Sequence, residues 1–179
     1  MTIEIYPYDP DWPALFRQTA EPIRETLGDL ALRIDHIGST SIPGADAKPV
    51  IDIQVSVGSF EPFGPIVSAM ESIGFVWRSD NPDLSKRYFR ETPGARRTHI
   101  HVRRAGSWSE QMALLFRDYL RCHAGDVRQY VELKEQLAKE FRDDRQAYTD
   151  GKSPFIWHVM AKADKWCQEI GWLPVPSDF

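Results

Sequence analysis

The chain has 179 residues, enough for one domain or for a core domain with a helical appendage. Its apolar fraction of 42% supports a real core, while a net charge of −4 gives no reason to expect nucleic acid or an anionic membrane as a partner. No apolar run reaches the ~20 residues of a membrane helix, the opening residues lack the basic and apolar stretches of a secretion signal, and Cys122 and Cys167 lie far apart without metal-like spacing, so a cytoplasmic protein with reduced thiols is expected.

Residues 3–6 read as a short strand. Asp9-Pro10 starts a turn, and Asp11 can cap a helix whose stripe is Trp12, Leu15, Phe16, Ile23 and Leu27, with Pro22 expected to kink or divide it before Gly28. A strand around Leu32, Ile34 and His36 ends at Gly38, where a missing Cβ allows close approach of the backbone. Ser39, Thr40 and Ser41 follow, and a turn of this kind can hold an anion on its successive amides. The next strand alternates: Ile51, Ile53, Val55 and Val57 point one way, and Val50, Asp52, Gln54 and Ser56 the other. Asp52 is a lone carboxylate in an apolar strand, so an anion turn and a metal-capable acid are expected side by side.

Residues 60–73 read as a helix ending at Gly74, residues 75–77 as a strand and residues 79–85 as a loop. Residues 86–91 and 98–103 form a hairpin around Pro93-Gly94, in which Ile100 and Val102 face the core and His99, His101 and Arg103 the other side. From Ser107 the period becomes helical: Met112, Leu115, Phe116 and Tyr119, then Tyr130, Leu133, Leu137 and Phe141, then a start at Ser153-Pro154 followed by Phe155, Val159, Ala163, Trp166 and Ile170. Three helices are therefore expected, and residues 172–179, with two prolines, as a loosely ordered tail.

The run His36-Ile37-Gly38-Ser39-Thr40 with Pro43-Gly44, and then Ala47-Lys48-Pro49-Val50-Ile51-Asp52-Ile53, resembles the signature of the GrpB-like family, which is grouped with the nucleotidyltransferase superfamily. Tyr8-Asp9-Pro10-Asp11-Trp12, residues 115–121, residues 130–134 and residues 152–155 extend the resemblance over most of the chain. It implies an α+β fold, a nucleotidyltransferase-like mixed sheet with flanking helices over residues 1–105 and a C-terminal helical bundle over 106–171, followed by the 172–179 tail. It also implies a divalent metal, Mg²⁺ or Mn²⁺, held by Asp52. The superfamily's second carboxylate falls at Gln54 here, and the position of its third is taken by His99 and His101. Two imidazoles beside Asp52 suit Zn²⁺, Mn²⁺ or Fe²⁺ better than Mg²⁺, and His36 can add a further nitrogen.

Asp52 and His101 are thus the expected catalytic residues, and Asp52, His99, His101 and His36 the expected metal ligands. Gly38, Ser39, Thr40, Lys48 and Gln54 are expected to contact substrate, joined by Arg117, Lys134 and Lys152, which the resemblance brings over the cleft from the helical half. The expected activity is metal-dependent transfer of a nucleotidyl group from a nucleotide, or from another phosphorylated small molecule, to an unknown acceptor. Two alternatives stay open: a phospho-ligand-binding module without turnover, favoured by Gln54, and a His/Asp metal-dependent hydrolase.

Overall fold

In β2 (Ile51–Val57), Ile51, Ile53, Val55 and Val57 are all buried on one side of the strand, as its period of two requires. The computed structural model describes residues 2–179. It pairs β2 antiparallel with β1 (Arg33–Ile37) and parallel with β5 (Thr98–Arg104). β4 (Lys86–Glu91) lies antiparallel to β5, and β3 (Phe75–Trp77) antiparallel to β4, so the mixed sheet runs β1-β2-β5-β4-β3.

The apolar face of the sheet is covered by α1 (Trp12–Leu27) and α2 (Gly64–Ser72). Trp12, Phe16, Ala20, Ile23 and Leu27 line one stripe of α1 and meet Ile53, Val55, Ile100 and Val102. Pro22 does not divide this helix: Ala20 and Ile23, on either side of it, are both fully buried and hold the two halves on the sheet. The opposite, polar face is partly covered by α3 (Trp108–Cys122), α4 (Ala124–Glu140), α5 (Arg145–Gly151) and α6 (Ser153–Ile170). α3 starts at a serine cap, with Ser107 Oγ accepting from the Glu110 amide, and packs on α6 around Tyr119, Leu120, Val159 and Ala163.

Several elements differ from those expected of the sequence. Residues 3–6 form no strand; Tyr6 makes a single bridge to Ala47. The helix after residue 60 starts only at Gly64, Ser153 lies inside the first turn of α6 rather than capping it, and α5 is an additional short helix. The tail is fastened along the outer edge of β1: Ser177 Oγ accepts from the Ile34 amide, Asp178 accepts from the His36 amide, and the Phe179 amide donates to the Ile34 carbonyl. An edge strand has unpaired amides to offer, and the tail satisfies them with side chains, a pattern that proline content does not reveal.

Candidate metal and phosphate site

The pairing of β2 with β5 sets Asp52 directly beside His99, and the i, i+2 rule brings His101 onto the same face. His99 Nδ1 donates to Asp52 Oδ1 at 3.0 Å, and His101 Nε2 lies 3.4 Å from the same oxygen. One ligand atom from each of the three lies within 4.8 Å of the others, a grouping that can hold a metal ion. Tyr88, paired with His101 across β4 and β5, sets its ring 5.3 Å from the His101 ring and 5.7 Å from that of His99, which limits both imidazoles. Burial alone would raise the Asp52 carboxyl, but the hydrogen bonds from His101 and His99 outweigh it and hold the group well below the usual carboxylate range. Burial pushes His101 down to about 4, against the pull of Asp52, so its ring is neutral at pH 7 and only one of its two nitrogens carries a proton.

Gly38 determines how near the turn after β1 can come to Asp52. A Cβ built there would lie 2.6 Å from Asp52 Oδ2, and its φ of +71° is one that L side chains rarely adopt. The Ser39–Ser41 turn of 3-10 helix follows, and Thr40 Oγ1 donates to the Val50 carbonyl, tying the turn to the start of β2.

Over this floor lies a cavity of about 730 Å³ bounded by the turn, β2, β5, β4, α4, α5 and the start of α6. Lys48, Lys86, Lys134, Arg145 and Lys152 line it, and Asp52 is the one acid among its lining residues. The Nζ atoms of Lys48 and Lys152 lie 4.6 and 4.8 Å from the centre of the Tyr148 ring, and Lys134 lies over Tyr130 while donating to the Asp46 carbonyl. Burial, reinforced by neighbouring cations, lowers Lys134 to about 7 and Lys48 to about 8, and burial lowers Lys152 as well. Mutually repelling cations that share a hollow with one carboxylate can hold an anion carrying several charges.

Of the residues expected at the site, the structure brings together Asp52, His99, His101, Ser39, Thr40, Lys48, Lys134 and Lys152 around the cavity, with Gly38 immediately behind Asp52. Three others lie elsewhere. His36 pairs with Ile53, so it shares the apolar face; it stacks on Phe16 with ring centres 4.8 Å apart, and burial lowers it to about 3. Since Thr40 Oγ1 donates to Val50, it accepts from His36 Nε2, and that nitrogen is committed to holding the turn. Gln54 shares the face of Asp52 but is fully buried, its amide oxygen accepting from Arg103 and its nitrogen donating to the Glu110 carbonyl at 3.5 Å. Arg117 is 1% exposed and bound to Asp118 and Asp178 at 2.7 and 2.8 Å, with Asp35 at 3.5 Å. It clamps α3 to β1 and the tail instead of facing the cavity.

Sequence reading missed the contribution of α5, which supplies Arg145, Gln146, Tyr148 and Thr149, and that of Asn81, Lys86 and Tyr88. The available signal was Asp144, whose side chain accepts from the Ala147 amide as a helix cap.

The sheet and its flanking helices define an α+β fold of the nucleotidyltransferase type. The structure of Cid1 with its short product ApU matches it at a TM-score of 0.51 and 14% identity, over 75% of this chain and 43% of that one. The chain belongs to the GrpB family: the GrpB protein family matches residues 2–162. The crystal structure of the conserved protein GrpB from Enterococcus faecalis is 32% identical with a TM-score of 0.83, covering 90% of this chain and 98% of that one. A UPF0157 protein of Pseudomonas aeruginosa is 39% identical over 164 residues, 90% of this chain and 67% of that protein. The chain is also 30% identical to the dephospho-CoA kinase of Mycolicibacterium paratuberculosis, of which it spans about half, 48%. No helix among the described residues is long and apolar enough to cross a membrane.

Proposed function

We propose that the cavity binds a nucleotide or a similar phosphorylated small molecule together with a divalent metal ion, and that, given a nucleoside triphosphate, the chain transfers its nucleotidyl group to an acceptor with pyrophosphate as the leaving group. The observation that carries this reading is the charge pattern: five cations and one carboxylate line a single hollow. Lys48, Lys134, Lys152 and Arg145 would hold phosphate oxygens, with the Ser39 and Thr40 turn against the phosphate nearest Asp52. A divalent ion at Asp52 would supply neutralisation of the phosphate charge when bound. The fold shared with Cid1 agrees with this assignment.

A second reading, ligand binding without transfer, is favoured by one feature. The position that would carry a second carboxylate is Gln54, and its amide is engaged with Arg103 and the Glu110 carbonyl. Thermal shift with ATP, UTP and pyrophosphate, each with and without Mg²⁺ or Mn²⁺, tests the binding common to both readings, because a ligand of the folded state raises the midpoint. Loss of the shift in Asp52→Ala locates it. A labelled nucleotide offered with protein and small-molecule acceptors then decides between transfer and binding alone. No shift with any phosphorylated probe would sink both.

A further inference from the structure

We propose that Asp52, His99 and His101 form a mononuclear centre for a first-row transition-metal ion such as Zn²⁺, with open coordination positions facing the cavity, and that no pair of Mg²⁺ ions assembles there. This rests on the reading of the cavity as metal-dependent and specifies which ion, and how many.

The donor set is the first ground. Two imidazoles and one carboxylate make a borderline-soft site of low charge, whereas Mg²⁺ takes oxygen ligands and keeps much of its water. The spacing is the second. Metal–ligand bonds of about 2.0–2.1 Å, opened to angles of about 90–109°, set neighbouring donors about 3.0–3.4 Å apart. The Asp52 oxygen stands 3.0 Å from His99 Nδ1 and 3.4 Å from His101 Nε2. A ligand atom of each residue lies within 4.8 Å of the others, so closing around one ion draws the two imidazoles together and moves the proton of each facing nitrogen to the other nitrogen of its ring. The side chains are 14–25% exposed, so the remaining positions open to the cavity, where a water or a phosphate oxygen fits.

The charge balance sets the number of ions. Two divalent ions would need several carboxylates, yet Asp52 is the one acid lining the cavity. Gln54 brings no charge and is held by Arg103. Lys48, Lys134, Lys152 and Arg145 already place positive charge on the far wall, where a second ion would otherwise act on the phosphates. The wall therefore replaces the second metal, and the histidines change the preference of the first.

The test uses the full chain, stripped with chelator and then given Zn²⁺, Co²⁺, Mn²⁺ or Mg²⁺ alone. We expect one Zn²⁺ or Co²⁺ per chain to survive desalting, Mg²⁺ to be lost, and the Co²⁺ form to show visible d–d absorption of a nitrogen-ligated ion. His99→Ala and His101→Ala should each weaken Co²⁺ binding by at least about tenfold with the far-ultraviolet dichroism unchanged. The cobalt spectrum of the unmodified chain keeps the test decisive if either variant fails to fold. Mg²⁺ retained as tightly as Zn²⁺, two ions per chain, or no transition ion retained would each overturn the inference. A nucleotide shift that persists with Mg²⁺ in that case would leave the phospho-ligand reading standing. A held Co²⁺ without any phosphate response would do the reverse.

Discussion

Arg117 and Lys134 are both cations with almost no exposure, 1% and 2%, and their surroundings could hardly differ more. Arg117 sits among Asp35, Asp118 and Asp178, each within 3.5 Å. Lys134 has a carbonyl, an aromatic ring and two other lysines for neighbours, with the Asp46 and Glu135 carboxylates acting on it only from a distance, and it makes no salt bridge among the described residues. A buried charge compensated by its own chain holds the fold together. A buried ammonium without a salt bridge is costly, and the cost is met by loss of its proton or, on the function proposed above, by a bound anion.

The contrast can be broken from either side. Arg117→Met should be the most damaging change, about 3–5 kcal/mol in chemical denaturation, because it takes the close buried cation from Asp118 and Asp178, while Asp35 keeps its pair with Arg33. A loss below about 1 kcal/mol would mean that the three aspartates do not depend on it. Gly38→Ala should cost about 1–3 kcal/mol through a strained backbone and the clash with Asp52, and should also abolish the metal and pyrophosphate responses. An alanine variant that still binds pyrophosphate normally would detach the turn from the site.

Lys134→Met and Lys152→Ala should do the opposite of Arg117→Met. The denaturation midpoint should hold or rise as like-charge repulsion falls, while pyrophosphate affinity, read by calorimetry, drops about tenfold for each, or about 1.4 kcal/mol. Equal losses of stability and affinity would make these lysines structural.

The same contrast shows in the pH dependence. Lys134 is lowered from 10.5 to about 7 and Lys48 from 10.5 to about 8, so between those values and 10.5 the unfolded chain binds more protons than the folded one. Stability of the free protein should therefore increase from pH 7 to pH 9, with the lysine penalty fully present below about 7. Pyrophosphate affinity should fall over the same interval as the lysines lose charge. Denaturation curves at the two pH values, repeated on Lys134→Met, check the first part, and a flat profile in the unmodified chain would contradict it. On the acid side, His36 is held at about 3 against an ordinary 6.5, so stability should decline as pH drops through that range.

Much of this could be read from residue order alone. Strict alternation placed Asp52 opposite the apolar face of its strand and His99 and His101 on a common side, and the resemblance to GrpB proteins brought the two strands together. Register was not legible. His36 alternates correctly with Ile34, but only its pairing with Ile53 shows that it faces α1 and not Asp52. Arg117 looked like a cleft cation because two of the aspartates that claim it come from β1 and from the tail, far from it in sequence, although the third, Asp118, is its neighbour. Gln54 appeared as a site residue by position, whereas its hydrogen bonds to Arg103 and to the Glu110 carbonyl depend on how α3 crosses the sheet. α5 escaped because seven mostly polar residues offer no stripe to recognise; its single buried residue is Tyr148.

The parallel pairing of β2 with β5 has a consequence for how the protein comes to be functional. Asp52 and His99 are 47 residues apart, and strands running in the same direction need a long crossover before they can meet. Nearby segments of the chain can collapse early, but this contact requires the loop through α2, β3 and β4 to close first. On the proposed metal centre, affinity for an ion would arise only once β2 and β5 have paired, and the appearance of cobalt colour during refolding would time that pairing.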